Sequence, residues 1–121
     1  MDSYEKCLDR ANIARDFEVT SGACITIALA MDEVFEESEI VAVSSRKSVQ
    51  TIEHAVVKID NNLYDGRGKV CKDRLIREFS KSSPSPENRK HLFWSPTKKQ
   101  LAKHKGGELY ENVKEKLENN F

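Results

Sequence analysis

Residues 54–65, His54-Ala55-Val56-Val57-Lys58-Ile59-Asp60-Asn61-Asn62-Leu63-Tyr64-Asp65, are the stretch on which the fold turns. β-Branched and aromatic residues flank Asp60-Asn61, a pair that tolerates positive φ, so the stretch reads as an antiparallel hairpin. A two-residue turn there sets Ile59 opposite Asn62, Lys58 opposite Leu63, Val57 opposite Tyr64 and Val56 opposite Asp65. His54, Val56 and Asp65 then share one face. His54 and Asp65 become diagonal neighbours at about 7–8 Å, a gap that long side chains bridge. A turn moved on by one residue, to Asn61-Asn62, puts Asp65 opposite Lys58 instead. Gly66-Arg67-Gly68 ends the returning strand.

Working outward, Ile40-Val41-Ala42-Val43 is a short β-rich run, and residues 49–59 form a strand region whose clearest part starts at His54. Residues 24–35 are apolar nearly all round until Asp32, which requires a central helix covered on most faces. Thr20 and Ser21 are good N-caps for it, and the acidic residues 36–39 favour a stop, because acids at a helix C-terminus oppose its dipole. In residues 2–17, Tyr4, Cys7, Leu8, Ala11, Ala14 and Phe17 recur at helical spacing, and Asp2 with Glu5 has capping-box spacing. Downstream, Val70, Leu75, Ile76 and Phe79 predict an amphipathic helix over residues 69–80, on which Cys71 sits. An exposed Ser/Pro loop follows at about residues 80–87. Ser95-Pro96 opens a helical C-terminal extension over residues 96–121. The expectation is one α+β domain: a buried, Cys-bearing helix packed on a small antiparallel sheet of about three strands, with flanking helices.

The 121 residues suit a single domain. Twenty basic and twenty acidic side chains cancel to zero net charge, which argues against a surface built wholly around nucleic acid. No apolar run approaches the ~18–20 residues of a membrane span, and the N-terminal residues lack a signal-peptide layout. Cys7, Cys24 and Cys71 are an odd, sparse set with no C-x-x-C pair, so free thiols in a reducing, cytoplasmic setting are expected. His54, His91 and His104 give no zinc-finger spacing, and neither metal nor cofactor is expected.

Three residues carry chemistry. Cys24 follows Ser21-Gly22-Ala23 at the start of the buried helix, where the dipole and backbone N–H groups are expected to lower its pKa toward neutral. His54 opens the best strand and offers a general base. Asp65 can hold the imidazole and stabilise its cation. Each has a bland alternative: Cys24 as a small core residue, His54 as a strand-edge residue, Asp65 as a turn residue before Gly66.

With Ser21-Gly22-Ala23-Cys24-Ile25-Thr26-Ile27-Ala28-Leu29-Ala30-Met31 and the segment from His54 to Gly68, the chain resembles the papain-like superfamily of thiol enzymes. That superfamily includes transglutaminase-like domains, arylamine acetyltransferases and small bacterial cell-wall peptidases. The resemblance implies a Cys helix packed on the sheet that bears the other two residues, with Cys24 as nucleophile, His54 as base then acid, and Asp65 orienting His54. It implies acyl transfer through a thioacyl intermediate and a bacterial or phage setting. With no cofactor-binding motif visible, hydrolysis of an amide or isopeptide bond in a peptide or protein is expected ahead of transfer to another acceptor, as in an acyltransferase. No Gln precedes Cys24, so the oxyanion hole falls to backbone N–H groups or Ser21.

A competing reading rests on residues 88–105, which contain six Lys or Arg and no acid, with Phe93 and Trp94 among them. Arg89, Lys90, Trp94, Lys98 and Lys99 would contact single-stranded nucleic acid or an acidic protein surface in a non-catalytic binding or inhibitor protein. The bland alternative is a solvated helix face with Trp94 anchoring a loop onto the core.

Overall fold

Asp60 and Asn61 both take the left-handed conformation (φ 50° and 69°), and the chain reverses over these two residues. The structure is a computed structural model that describes residues 2–16, 23–45, 52–79 and 91–121. Strand β2 (His54–Ile59) pairs with β3 (Asn62–Asp65) in the register Ile59 to Asn62, Lys58 to Leu63 and Val57 to Tyr64. This is the register expected of the Asp60-Asn61 turn, and the alternative turn at Asn61-Asn62 is excluded.

The sheet is larger than the sequence indicated. β1 (Glu39–Ser45) pairs with β2, β4 (Gly68–Val70) returns along β3, and β5 (His91–Trp94) lies outside β1, giving the order β4-β3-β2-β1-β5. All neighbours are antiparallel. Among the described residues five strands stand where about three were expected. Gly66-Arg67, read as a terminator, is instead the turn of a second hairpin that pairs Asp65 with Gly68.

Helix α1 (Ser3–Ala11) starts on the anticipated capping box: Asp2 Oδ1 accepts from the Glu5 N–H at 2.8 Å, and Glu5 Oε1 accepts from the Asp2 N–H at 3.3 Å. It stops at Ala11 rather than running on to residue 17, because Asn12 adopts the left-handed conformation (φ 55°) that ends helices. The short α2 (Ile13–Asp16) follows. Helix α3 (Cys24–Val34) buries Ile25, Ile27, Ala28, Leu29, Ala30 and Met31, as its nearly uniform apolarity requires. Past its end, Ser38 Oγ lies 2.7 Å from Asp32 Oδ1 and 2.8 Å from the Phe35 carbonyl, fixing the exit. The expected 69–80 helix is shorter, α4 (Lys72–Phe79), since residues 68–70 join the sheet and Cys71 precedes the helix. The short α5 (Lys98–Ala102) is capped by Thr97, and α6 (Gly107–Asn120) completes the chain. The proposed Ser/Pro loop lies outside the described residues.

The sheet separates two apolar clusters. On one face Ile40, Ala55, Val57, Ile59 and Tyr64 meet α1, α3 and α6. On the other, Val41, Val43, Val56 and Val70 meet Leu75 of α4. The C-terminal helix belongs to the larger core: Tyr110, Val113 and Leu117 recur at three- and four-residue spacing and are all buried. The Cys7 thiol donates to the Leu117 carbonyl at 3.4 Å, tying α6 to α1. Leu117→Ala is therefore expected to cost about 2–5 kcal/mol, the range for emptying a fully buried leucine site, read as a lowered urea midpoint with an unchanged slope. Among the described residues no helix is long and apolar enough to cross a membrane.

Candidate active site

Cys24 is the first residue of α3, His54 the first of β2 and Asp65 the last of β3. The hairpin register brings the latter two together, with His54 Nε2 3.0 Å from Asp65 Oδ2. Both are buried, His54 at 0 % and Asp65 at 2 % exposure. Burial alone would raise the carboxyl's pKa, but hydrogen bonds from His54 and Arg67 outweigh it and hold Asp65 below the ordinary carboxylate range. An ionised carboxylate only accepts, so Nε2 must carry the proton that joins them. In the neutral ring Nδ1 is then the basic nitrogen. The tautomer follows from the carboxylate's charge.

The thiol of Cys24 meets the backbone of the strand that carries His54. In a two-residue hairpin the pair next to the turn is hydrogen-bonded, so odd-numbered β2 residues aim their backbone groups toward β3. β3 ends at Asp65, opposite Val56, and one position further along β2 the Ala55 N–H bears on the Cys24 sulfur. Cys24 thus lies beside the residue that follows His54, and the Asp65 charge acts on it.

The electrostatics differ from expectation. Burial pushes the Cys24 thiol above its ordinary value, opposed only in part by the N–H groups of Ala55, Ile25 and Cys24 itself. Charge at a helix terminus is worth about 0.3–1 kcal/mol, under one pKa unit, whereas burial shifts groups by up to about 3–5 units. At 4 % exposure desolvation wins. Thr20 and Ser21 lie outside the described residues, and Ala23 at the N-cap supplies no side-chain bond. Cys7 is buried too, its pKa pushed up to about 11 by desolvation, whereas Cys71 is exposed. Iodoacetamide is accordingly expected to modify Cys71 first in the resting protein, and Cys24 and Cys7 at least about tenfold more slowly, scored by peptide mass mapping. Any assay of Cys24 belongs in a Cys71→Ser background.

Sequence reasoning missed Arg67. It sits in the β3–β4 turn and grips Asp65 from three positions: its backbone N–H reaches Oδ1 at 2.8 Å, Nε reaches Oδ2 at 3.1 Å and Nη2 reaches Oδ2 at 2.7 Å. The same guanidinium meets Glu78 of α4, Nη1 to Oε2 at 2.5 Å and Nη2 to Oε1 at 3.0 Å. The sequence signal was slight: an Asp-Gly-Arg-Gly turn in which the arginine follows the carboxylate by two residues.

The basic segment divides. Arg89 and Lys90 lie outside the described residues, while Lys98 and Lys99 are exposed on α5. Trp94 is a strand residue paired with Ala42, half-buried, with Nε1 donating to Ser44 Oγ at 3.0 Å. That hydrogen bond ties β5 to β1. Among the described residues no three His, Cys, Asp or Glu side chains converge as a metal site. A cavity of about 390 Å³ opens on the α4 side of the sheet, away from Cys24, against Val41, Leu63 and Phe93.

No curated protein and no solved structure matches this chain. A family pattern does, running from residue 5 to residue 119 and so taking in Cys24, His54, Asp65 and Arg67 together. The chain belongs to the Phage YunG-like protein family.

Proposed function

We propose that this chain is a minimal papain-like thiol hydrolase that cleaves an amide or isopeptide bond in a peptide or protein substrate. The observation that carries the reading is the buried His54–Asp65 pair, 3.0 Å apart, with Cys24 at a helix start beside the next residue of the same strand. Its connectivity supports the roles. Asp65 engages Nε2, so Nδ1 is the atom through which the ring takes a proton. Because the resting thiol is held neutral by burial, attack is base-assisted: sulfur adds to the carbonyl as His54 Nδ1 takes the thiol proton. Asp65 stabilises the imidazolium, and N–H groups at the α3 start receive the oxyanion. His54 then protonates the leaving amine, and water, deprotonated by His54, releases the acid from the thioester.

Acyl trapping tests this. In the Cys71→Ser background, p-nitrophenyl acetate should add a single acetyl group to Cys24, seen by intact mass and peptide mapping. Cys24→Ala should abolish it. Acetylation at lysines alone, with Cys24 untouched, would refute the reading. The non-catalytic alternative draws on the exposed Lys98 and Lys99 and predicts salt-sensitive oligonucleotide binding that Cys24→Ala leaves intact.

A further inference from the structure

The sheet face that carries His54 and Asp65 continues along β2 past Val56 to Lys58, about 13 Å from His54 at strand spacing. There it opens into the cavity of about 390 Å³, at the small end of the range for ligand pockets. Its floor is apolar. Val41 projects from β1, Leu63 from β3 and Phe93 from β5, all on the α4 side by register. Two cations flank it. The Lys72 ammonium stands over the Phe93 ring, 4.8 Å from its centroid, and Lys58 stands opposite Leu63. Glu39 meets Lys58 only at 3.8 Å, with both side chains well exposed, so this contact does little to neutralise Lys58.

We infer that this cavity is a binding site for a small organic anion: an aryl or short acyl carboxylate whose apolar body lies on Val41, Leu63 and Phe93 and whose charge meets Lys58 and Lys72. The inference does not depend on the thiol chemistry. A cationic ligand meets two ammonium groups against one carboxylate. A neutral apolar ligand gains nothing from either ammonium group, although burial of the Val41 floor still favours it weakly. Only an anion with an apolar body uses the floor and the rim together. Lys72 is also prepositioned, because its stack on Phe93 fixes the ammonium beside the apolar surface.

Proton–nitrogen correlation NMR of the full chain, titrated with 3-phenylpropionate and separately with 3-phenylpropanamide, tests the inference. The carboxylate should give saturable shifts clustered at Val41, Asn61, Leu63 and Phe93, and the amide should bind at least about fivefold more weakly. Lys72→Gln and Lys58→Gln, both at solvent-facing positions, should each weaken the carboxylate about fivefold while leaving the amide unchanged. Equal affinity for acid and amide, shifts scattered away from these residues, no saturation, or indifference to both lysine substitutions would each overturn the inference. Because Cys24 plays no part in the titration, a Cys24→Ala chain should behave identically, which keeps this result separate from the fate of the thiol reading.

Discussion

His54→Gln lowers the rate of Cys24 acylation at neutral pH by about 10²–10⁴-fold, the usual worth of a positioned general base. Glutamine is chosen because its side-chain amide still donates to Asp65, so the buried carboxylate keeps a partner and the fold survives. What it lacks is a basic nitrogen. The variant's remaining reactivity then depends on thiolate formed by bulk solvent, and burial makes that scarce by holding the thiol above its ordinary value of 9.0. The rate should therefore climb tenfold per pH unit through the alkaline range with no plateau below pH 9. The unsubstituted protein should instead react at neutral pH through proton transfer in the transition state, and slow measurably in heavy water. Stopped-flow release of p-nitrophenol in the Cys71→Ser background reads both profiles. If the two proteins share one profile, His54 is a buried structural partner of Asp65 and the catalytic assignment fails.

What the chain disclosed in advance, and what it withheld, follows the range of each interaction. The β2–β3 register was legible because a two-residue turn of Asp60-Asn61 leaves one antiparallel pairing, and both residues take the left-handed backbone that pairing needs. The central α3 was legible because eleven residues with little polar interruption have nowhere to sit but inside. β4 and β5, three and four residues long, carry too few alternations to register as strands, and β5 was further hidden inside a basic segment. At Cys24 the expected helix-terminus effect is present in direction, since its N–H neighbours do lower the pKa, but burial is not readable from position and it reverses the net result. The Arg67–Glu78 contact joins a turn to a helix across eleven positions, and no local pattern announces it.

Arg67→Ala should destabilise the fold by about 3–5 kcal/mol at neutral pH, because removing one member of a buried ion pair leaves the other uncompensated. Asp65 is the residue at stake. Burial raises its pKa, and with the guanidinium gone only the His54 hydrogen bond and the backbone N–H of residue 67 remain to oppose that. In the unsubstituted protein the folded carboxyl lies below its unfolded value of 3.8, so the unfolded chain binds more protons in the interval between the two. Its contribution is complete above the unfolded value and disappears as pH falls through the folded one. Glu78, whose carboxyl is lowered first by its hydrogen bond from Arg67, shares the same sign and is more exposed, so Glu78→Gln should cost no more than about 1 kcal/mol. The destabilisation by Arg67→Ala should accordingly be greatest at neutral pH and shrink below about pH 4, where protonation of Asp65 relieves the unpaired charge. Urea unfolding followed by circular dichroism from neutral to acid pH measures this. Arg67→Lys keeps the charge but not the fork that spans both Asp65 and Glu78, and should recover less than half of the loss. A cost for Arg67→Ala that stays constant with pH would show that lost packing, not the charge on Asp65, is what Arg67 supplies.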